Sequence, residues 1–195
     1  MIIKFQDWQP DSADYGTLGS VTVVNVAPAQ YGFQPWPDFA EVSSAVAARP
    51  LGGIEAFDKD QVSFMYTGSA TKLYQLDSTD LTWTDSTNTG GDYTTASGED
   101  WNFVRWENKI LGVNFTSNPQ QITMGAANFS DLTTAFRARN ITVVRDFVVA
   151  SNTYDATDGN VPNRVRWSAI GDETNWTVSA STLSDYRDLT TGGSI

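Results

Sequence analysis

The chain contains no histidine and no cysteine in 195 residues. Their absence removes disulfides, thiolate and imidazole metal sites, cysteine and Ser–His nucleophiles, and the general base best matched to neutral pH. Cations are scarce too: 12 Lys and Arg stand against 23 Asp and Glu, a formal net charge of −11. A surface built to neutralise phosphate or anionic lipid needs the opposite balance. Apolar runs stop at a handful of residues, as in Phe147 to Ala150, so nothing reads as a bilayer-spanning helix and no membrane insertion is expected. The opening Met1-Ile2-Ile3-Lys4-Phe5-Gln6-Asp7 lacks the layout of a secretory signal, and the mature chain is expected to begin where translation does.

What is present describes a folded chain. The hydrophobic fraction is 40% and the aromatic fraction 12%, against 18% charged, which excludes a disordered composition and gives seven Trp an interior or an interface to fill. Clusters of Thr, Ser, Asp, Asn and Gly separate short runs of Val, Ile, Phe, Tyr and Trp, the punctuation of strands and turns. Alternation in Gln61 to Tyr66, Lys72 to Leu76 and Arg164 to Trp167 predicts strands with one apolar face. Helical periodicity is rare, with short candidates at Phe39 to Arg49 and Asp131 to Arg137, each with a turn as its other reading.

Five of the seven prolines fall in the first fifty residues (Pro10, Pro28, Pro35, Pro37 and Pro50), and the strand-like Val21 to Val26 runs almost at once into Pro28. Proline confines a segment to extended or edge conformations. Residues 1–50 therefore read as an extended arm or lead-in strand, with a loop-rich edge of the same domain as the other reading.

From residue 53 onward a four-strand unit recurs. The first unit runs through 53–57, a turn at Asp58-Lys59-Asp60, then 61–66, 72–76 and 81–84. The second runs through 101–106, a turn at Glu107-Asn108, then 109–114, 121–124 and a segment around Phe129. The third runs through 141–144, a turn at Arg145-Asp146, then 147–151, 164–168 and 176–178. The third-strand positions Leu73, Ile122 and Val165 are 49 and 43 residues apart, and the aromatics Trp83, Phe129 and Trp176 are 46 and 47 apart. Four strands at a spacing in the forties is the signature of propeller blades. The expected fold is all-β and antiparallel: a propeller-like repeat of four-stranded blades over residues 51–195, with a meandering sandwich as the alternative. About three blades are too few to close a ring. Asp185 to Ile195 reads as the approach to another strand, so the chain is expected to be part of a longer protein, with completion by neighbouring subunits as the other reading.

Catalytic chemistry finds little to use. Glu55, Asp58, Asp60, Glu99, Asp100, Asp172 and Glu173 fall mostly in predicted turns, where Asp bonds its own backbone; no catalytic residue is assigned. Asp155-Ala156-Thr157-Asp158-Gly159-Asn160 resembles a calcium loop superficially but lacks the alternating ligands and the late Glu, so no metal is expected. Four Asn-X-Ser/Thr triplets, at Asn114, Asn128, Asn140 and Asn175, reflect β-rich composition in a chain without signal or cysteine. No phosphate loop with its lysine occurs, and no cofactor is expected. Arg137, Arg139, Arg145, Arg164 and Arg166 gather five of the twelve basic residues, and in an alternating strand Arg164 and Arg166 share a face. Pairing with nearby acids is the plainer use. Contact with a subunit, another partner or nucleic acid is the other, with Arg137, Arg139, Arg164 and Arg166 as the candidates.

Several stretches, in order along the chain, resemble phage tail proteins: Asn25-Val26-Ala27-Pro28 with Tyr31 to Pro37, Ala70 to Tyr74, Ile141 to Val149, and Pro162 to Ser168 with Trp176. The chain is similar to the tail nozzle or tail-hub family of short-tailed bacteriophages and related prophages over most of residues 20–190. The resemblance implies a propeller-containing virion subunit without an active site, made in the host cytoplasm. It also implies assembly as a ring, commonly a hexamer, beneath the portal and adaptor, around the channel through which DNA leaves. An acidic wall suits that transit, because it repels phosphate. The rival reading is a carbohydrate-binding or glycan-hydrolysing propeller that recognises a host surface with Trp and carboxylates in one cleft.

Overall fold

The computed structural model describes residues 22, 24–29, 32–38 and 40–190; the readings placed on Met1–Asp7, Pro10, Val21, Val23, Tyr31, Phe39 and 191–195 lie outside them. Every regular element among these residues is a β-strand. Contacts divide the chain into a unit spanning residues 1–42 and a unit spanning residues 43–195.

In the first unit, β1 (Val26–Ala29) and β2 (Gly32–Pro35) form an antiparallel hairpin, prolonged by a bond from Trp36 N to Asn25 O. Of the described residues in the expected strand at 21–26, Val26 lies in a strand. Asn25 has φ 57°, a left-handed kink, and β1 beyond it runs through Pro28 in a two-stranded edge that tolerates proline.

The second unit is three four-stranded antiparallel meanders. Sheet one is β3 (Gly53–Phe57), β4 (Ser63–Gly68), β5 (Leu73–Leu76) and β6 (Trp83–Asp85). Sheet two is β7 (Asn102–Trp106), β8 (Lys109–Val113), β9 (Gln120–Thr123) and β10 (Ser130–Asp131). Sheet three is β11 (Arg137–Val144), β12 (Phe147–Asp155), β13 (Gly159–Trp167) and β14 (Asp185–Asp188). First strands meet first strands, β3 against β7 and β7 against β11. This is the propeller-like arrangement of blades.

Two cores separate the three sheets, and strand alternation assigns residues to them. On β8, Ile110 packs with Ala56, Tyr66, Leu73, Trp101, Ile122 and Phe129 between sheets one and two. Its neighbours Leu111 and Val113 turn the other way, to Trp106, Phe136, Ala138, Ile141, Val148, Ala150 and Trp176. Sheet two is therefore apolar on both faces, as a middle blade must be. Tyr66 meets Phe129 edge-on at 5.7 Å and Phe136 meets Trp176 at 4.7 Å, so these repeated aromatics pack between sheets. Trp83 does not; it sits on the outward face of sheet one with its Nε1 on Ser43 Oγ at 3.3 Å.

Three expectations are corrected. The fourth strand of the third unit is β14, not 176–178: Trp176 reaches the core from a loop, held by Nε1 donating to Glu173 O at 2.8 Å. Residues 40–49 are not helical. Their Ala and Val side chains are largely exposed, Val42 at 78%, and a short helix with no apolar face to bury is marginal; instead Ser44 N bonds Leu81 O at 2.9 Å. Residues 131–137 are also not helical. Leu132 and Phe136, whose i, i+4 spacing imitates a helix face, are both buried from a loop, with Leu132 N on Pro119 O at 2.7 Å.

Candidate functional site: a polar cleft at one end of the sheets

Because each sheet is a meander, the connections between second and third strands and those between sheets emerge at the same end. The loops after β6, β8, β10 and β12 all do so and wall a cleft of about 520 Å³. Its lining includes Asn88, Asp92, Asn118, Asp131, Arg137 and Tyr154. A second hollow of about 290 Å³ shares Ala135, Asp155 and Ala156 with it and adds Asp158, Arg164, Arg166 and Tyr186.

One wall is a fixed hydrogen-bond network. Gln120, buried at 1% exposure, accepts from Tyr93 Oη at 2.9 Å and donates to Asp131 Oδ1 at 2.6 Å. Asn88 donates to Gln120 and to Asp131, and Asn118 donates to Asp131 Oδ2 at 2.8 Å. Burial pushes the Tyr93 hydroxyl up to about 12, so it remains a donor here.

Of the four predicted arginines, Arg137 lines this cleft and Arg164 and Arg166 line the adjoining hollow. Arg137 lies over the Tyr154 ring at 4.0 Å and donates to Thr116 O at 3.3 Å. Arg164, 5% exposed, is saturated: Nε reaches Asp188 Oδ1 at 2.7 Å, and Nη1 reaches Asp158 at 2.6 Å and Asp155 at 3.0 Å. The hydrogen bond that Arg164 donates to Asp188 is the first cause that raises the arginine above its usual range and, reciprocally, lowers Asp188. Arg166 shares a face with Arg164, as alternation predicts; it lies over Phe136 at 4.5 Å and stands 3.8 Å from Asp155 Oδ2. Burial lowers Arg166, partly offset by Asp155. Arg139 sits apart, forked onto Glu99 by Nε and Nη2 and stacked on Phe115 at 4.1 Å. The structure thus brings Arg137 to the larger cleft and Arg164 and Arg166 to the adjoining hollow, and leaves Arg139 outside both.

The carboxylates singled out in the sequence hold separate posts in the structure. Asp58 and Asp172 cap their own turns, accepting from Asp60 N and Thr174 N. Glu173, 8% exposed, instead holds Lys109 Nζ and Trp106 Nε1 between sheets two and three. In the calcium-like loop, Asp155 accepts from Thr157 N and Asp158 N while Arg164 occupies the carboxylate side; burial would raise Asp155, but these bonds lower it overall. No cluster of three or more metal-ligating acids occurs among the described residues.

Two further surfaces escaped the sequence reading. Sheet one faces away from the core with Phe57, Met65, Leu76 and Trp83, beside a groove of about 430 Å³ walled by Val46 and Pro50. Sheet three faces away from the core with Val144, Phe147, Val149, Val165 and Trp167. The signal was alternation, which gives both faces of these strands apolar residues.

No protein-family model and no curated protein sequence matches this chain.

Proposed function

We propose that this chain is a non-enzymatic structural component of a phage tail, part of the ring-shaped nozzle or hub through which DNA leaves the virion. The observation that carries the reading is a three-blade propeller-like stack whose third sheet turns Val144, 52% exposed, outward with Phe147, Val149, Val165 and Trp167, a face shaped for a further sheet. The net charge of −11 supports a wall that DNA passes without adhering, since no counterion-release gain rewards contact. The phage-like wording of the sequence supplies the setting, beside a portal and adaptor and in a ring of copies. Immunogold labelling of phage particles with an antibody against the chain tests it. Label at the portal-proximal tail supports the proposal; label absent from particles, or confined to receptor-binding fibres, overturns it.

A second reading, saccharide recognition, is favoured by the cleft, which sets Arg137 donors and Asp92 and Asp131 acceptors around one hollow, the mixture that sugar hydroxyls require. Binding on a glycan array that disappears in Arg137→Ala would establish it, and a blank array would remove it.

A further inference from the structure

We infer that the cleft and the hollow beside it form a trough for an acidic saccharide, with the carboxylates of uronic acid units seated on Arg137 and Arg166. The inference rests on the saccharide reading of the cleft and names the class of sugar.

The acceptors deep in the trough are largely occupied by the chain itself. A carboxylate accepts at about four sites. Asp131 already takes three hydrogen bonds, from Gln120 and Asn88 on Oδ1 and from Asn118 on Oδ2. Asp155 also takes three, from the Thr157 and Asp158 amides on Oδ1 and from Arg164 on Oδ2 at 3.0 Å. Gln120 Oε1 accepts from Tyr93 and Asn88.

The donors of two arginines are not so occupied. Arg137 gives Nη1 to Thr116 O and has no ion pair among the described residues. Arg166 makes no hydrogen bond among the described residues, although its side chain is only 12% exposed; its nearest acid, Asp155, stands at 3.8 Å, beyond hydrogen-bond reach. Neither guanidinium hangs free. Arg137 lies on the Tyr154 ring at 4.0 Å and Arg166 over the Phe136 ring at 4.5 Å. A ring against its flat face fixes a guanidinium and leaves the N–H groups, which point outward in its plane, for another acceptor. The two cations are also neighbours. Arg137 pairs with Tyr154 across the ladder, while Arg166 stands on the residue before Arg137 and beside the residue after Tyr154. They open on compartments of about 520 and 290 Å³ that share Ala135, Asp155 and Ala156.

Charge limits what can enter. Asp92 and Asp158 are exposed on the trough walls, where they repel a dense polyanion such as a phosphodiester chain and accept from hydroxyls. A carboxylate meets a guanidinium edge to edge through two parallel hydrogen bonds. A sugar ring with one carboxylate among several hydroxyls therefore matches both the arginines and the wall acids. Burial lowers Arg166, and a carboxylate seated on it offsets that cost.

Isothermal titration calorimetry with trigalacturonic and trimannuronic acid, and with their methyl esters, tests this. At least one acid is expected to bind about tenfold more tightly than its ester, which keeps the rings and loses the charge. Arg137→Gln and Arg166→Gln are each expected to weaken that acid about tenfold, whereas Arg139→Gln, outside the trough, leaves it unchanged. Melting temperatures of the variants separate lost binding from lost fold, and the ratio of acid to ester needs no variant at all. Equal binding of acid and ester overturns the inference and leaves the saccharide reading standing. Binding of no uronate in either form overturns the inference, and the glycan array then decides the saccharide reading by itself. Triglutamate, which carries carboxylates without sugar rings, overturns it as well if it binds as tightly as the acid, in favour of an acidic peptide.

Discussion

The Glu173 carboxylate, buried between the second and third sheets, accepts hydrogen bonds from Trp106 Nε1 at 3.1 Å and from Lys109 Nζ. Both donors belong to the β7–β8 hairpin, so a loop residue of the third blade clamps the second. Glu173→Ala strands a buried indole N–H and a half-buried ammonium. Urea unfolding is expected to show a loss of about 2 kcal/mol, and Glu173→Gln, which can still accept from the indole, less. A second residue-scale constraint is steric. A Cβ at Gly68 would lie inside the Trp101 indole, and that ring is pinned by Nε1 donating to Ser69 O at 2.8 Å and by Tyr93 edge-on at 5.1 Å. Gly68→Ala therefore cannot be relieved by a swing of the ring. It is expected to cost about 2 kcal/mol, with a near-ultraviolet dichroism change marking displaced Trp101. An unchanged spectrum and melting point would refute the close approach.

At the scale of elements, position in the stack decides what a truncation costs. Ile110 and Leu111 are adjacent on β8 and fully buried, one toward each neighbouring sheet. Ile110→Ala and Leu111→Ala are each expected to lose about 3 kcal/mol, because either leaves a cavity. Val165→Ala, on the outward face of the third sheet, is expected to lose less than about 1 kcal/mol in dilute chains; equal losses at all three sites would mean that this face is already covered. The same contrast explains what the sequence could reveal. Strands with alternating apolar faces and Asp or Asn turns, such as 102–106 and 109–113, were legible from local pattern alone. β14 was not: Asp185-Tyr186-Arg187-Asp188 is exposed throughout and carries no apolar alternation, whereas Trp176 advertises a strand from a loop. The cleft was legible only as a cluster of arginines. Arg164 finds Asp188 24 positions away and Arg139 finds Glu99 40 positions away, separations that local pattern does not encode.

For the whole molecule, the missing histidine and cysteine become a statement about pH. With neither present, no side chain of the chain has an ordinary titration between about pH 5 and 8, so folding stability is expected to be flat across that interval. Below it, the ion-paired and turn-capping carboxylates respond. Asp85 is held at about 2: burial alone would raise it, but the bonds from Lys72 and Thr87 outweigh that. Asp188 is lowered chiefly by Arg164, and Asp80 and Asp172 by Thr82 and Thr174. A lowered carboxylate binds fewer protons folded than unfolded, so its stabilisation is complete above the ordinary value of 3.8 and disappears as pH falls through the folded value. At the alkaline end, burial raises the Tyr66 and Tyr93 hydroxyls from 10.0 to about 12. Folded chains then keep protons that unfolded chains release, and stability declines as pH passes from 10 toward 12. Melting temperature measured against pH is therefore expected to form a plateau with an acid shoulder between about pH 5 and 2 and an alkaline fall above pH 10. Arg164→Leu removes the partner of Asp188 and of Asp158, and it is expected to lower the plateau and shrink the acid shoulder together. A plateau lowered with the acid shoulder intact would mean that Arg164 acts by packing on Tyr186, 4.3 Å away, and not through its carboxylates.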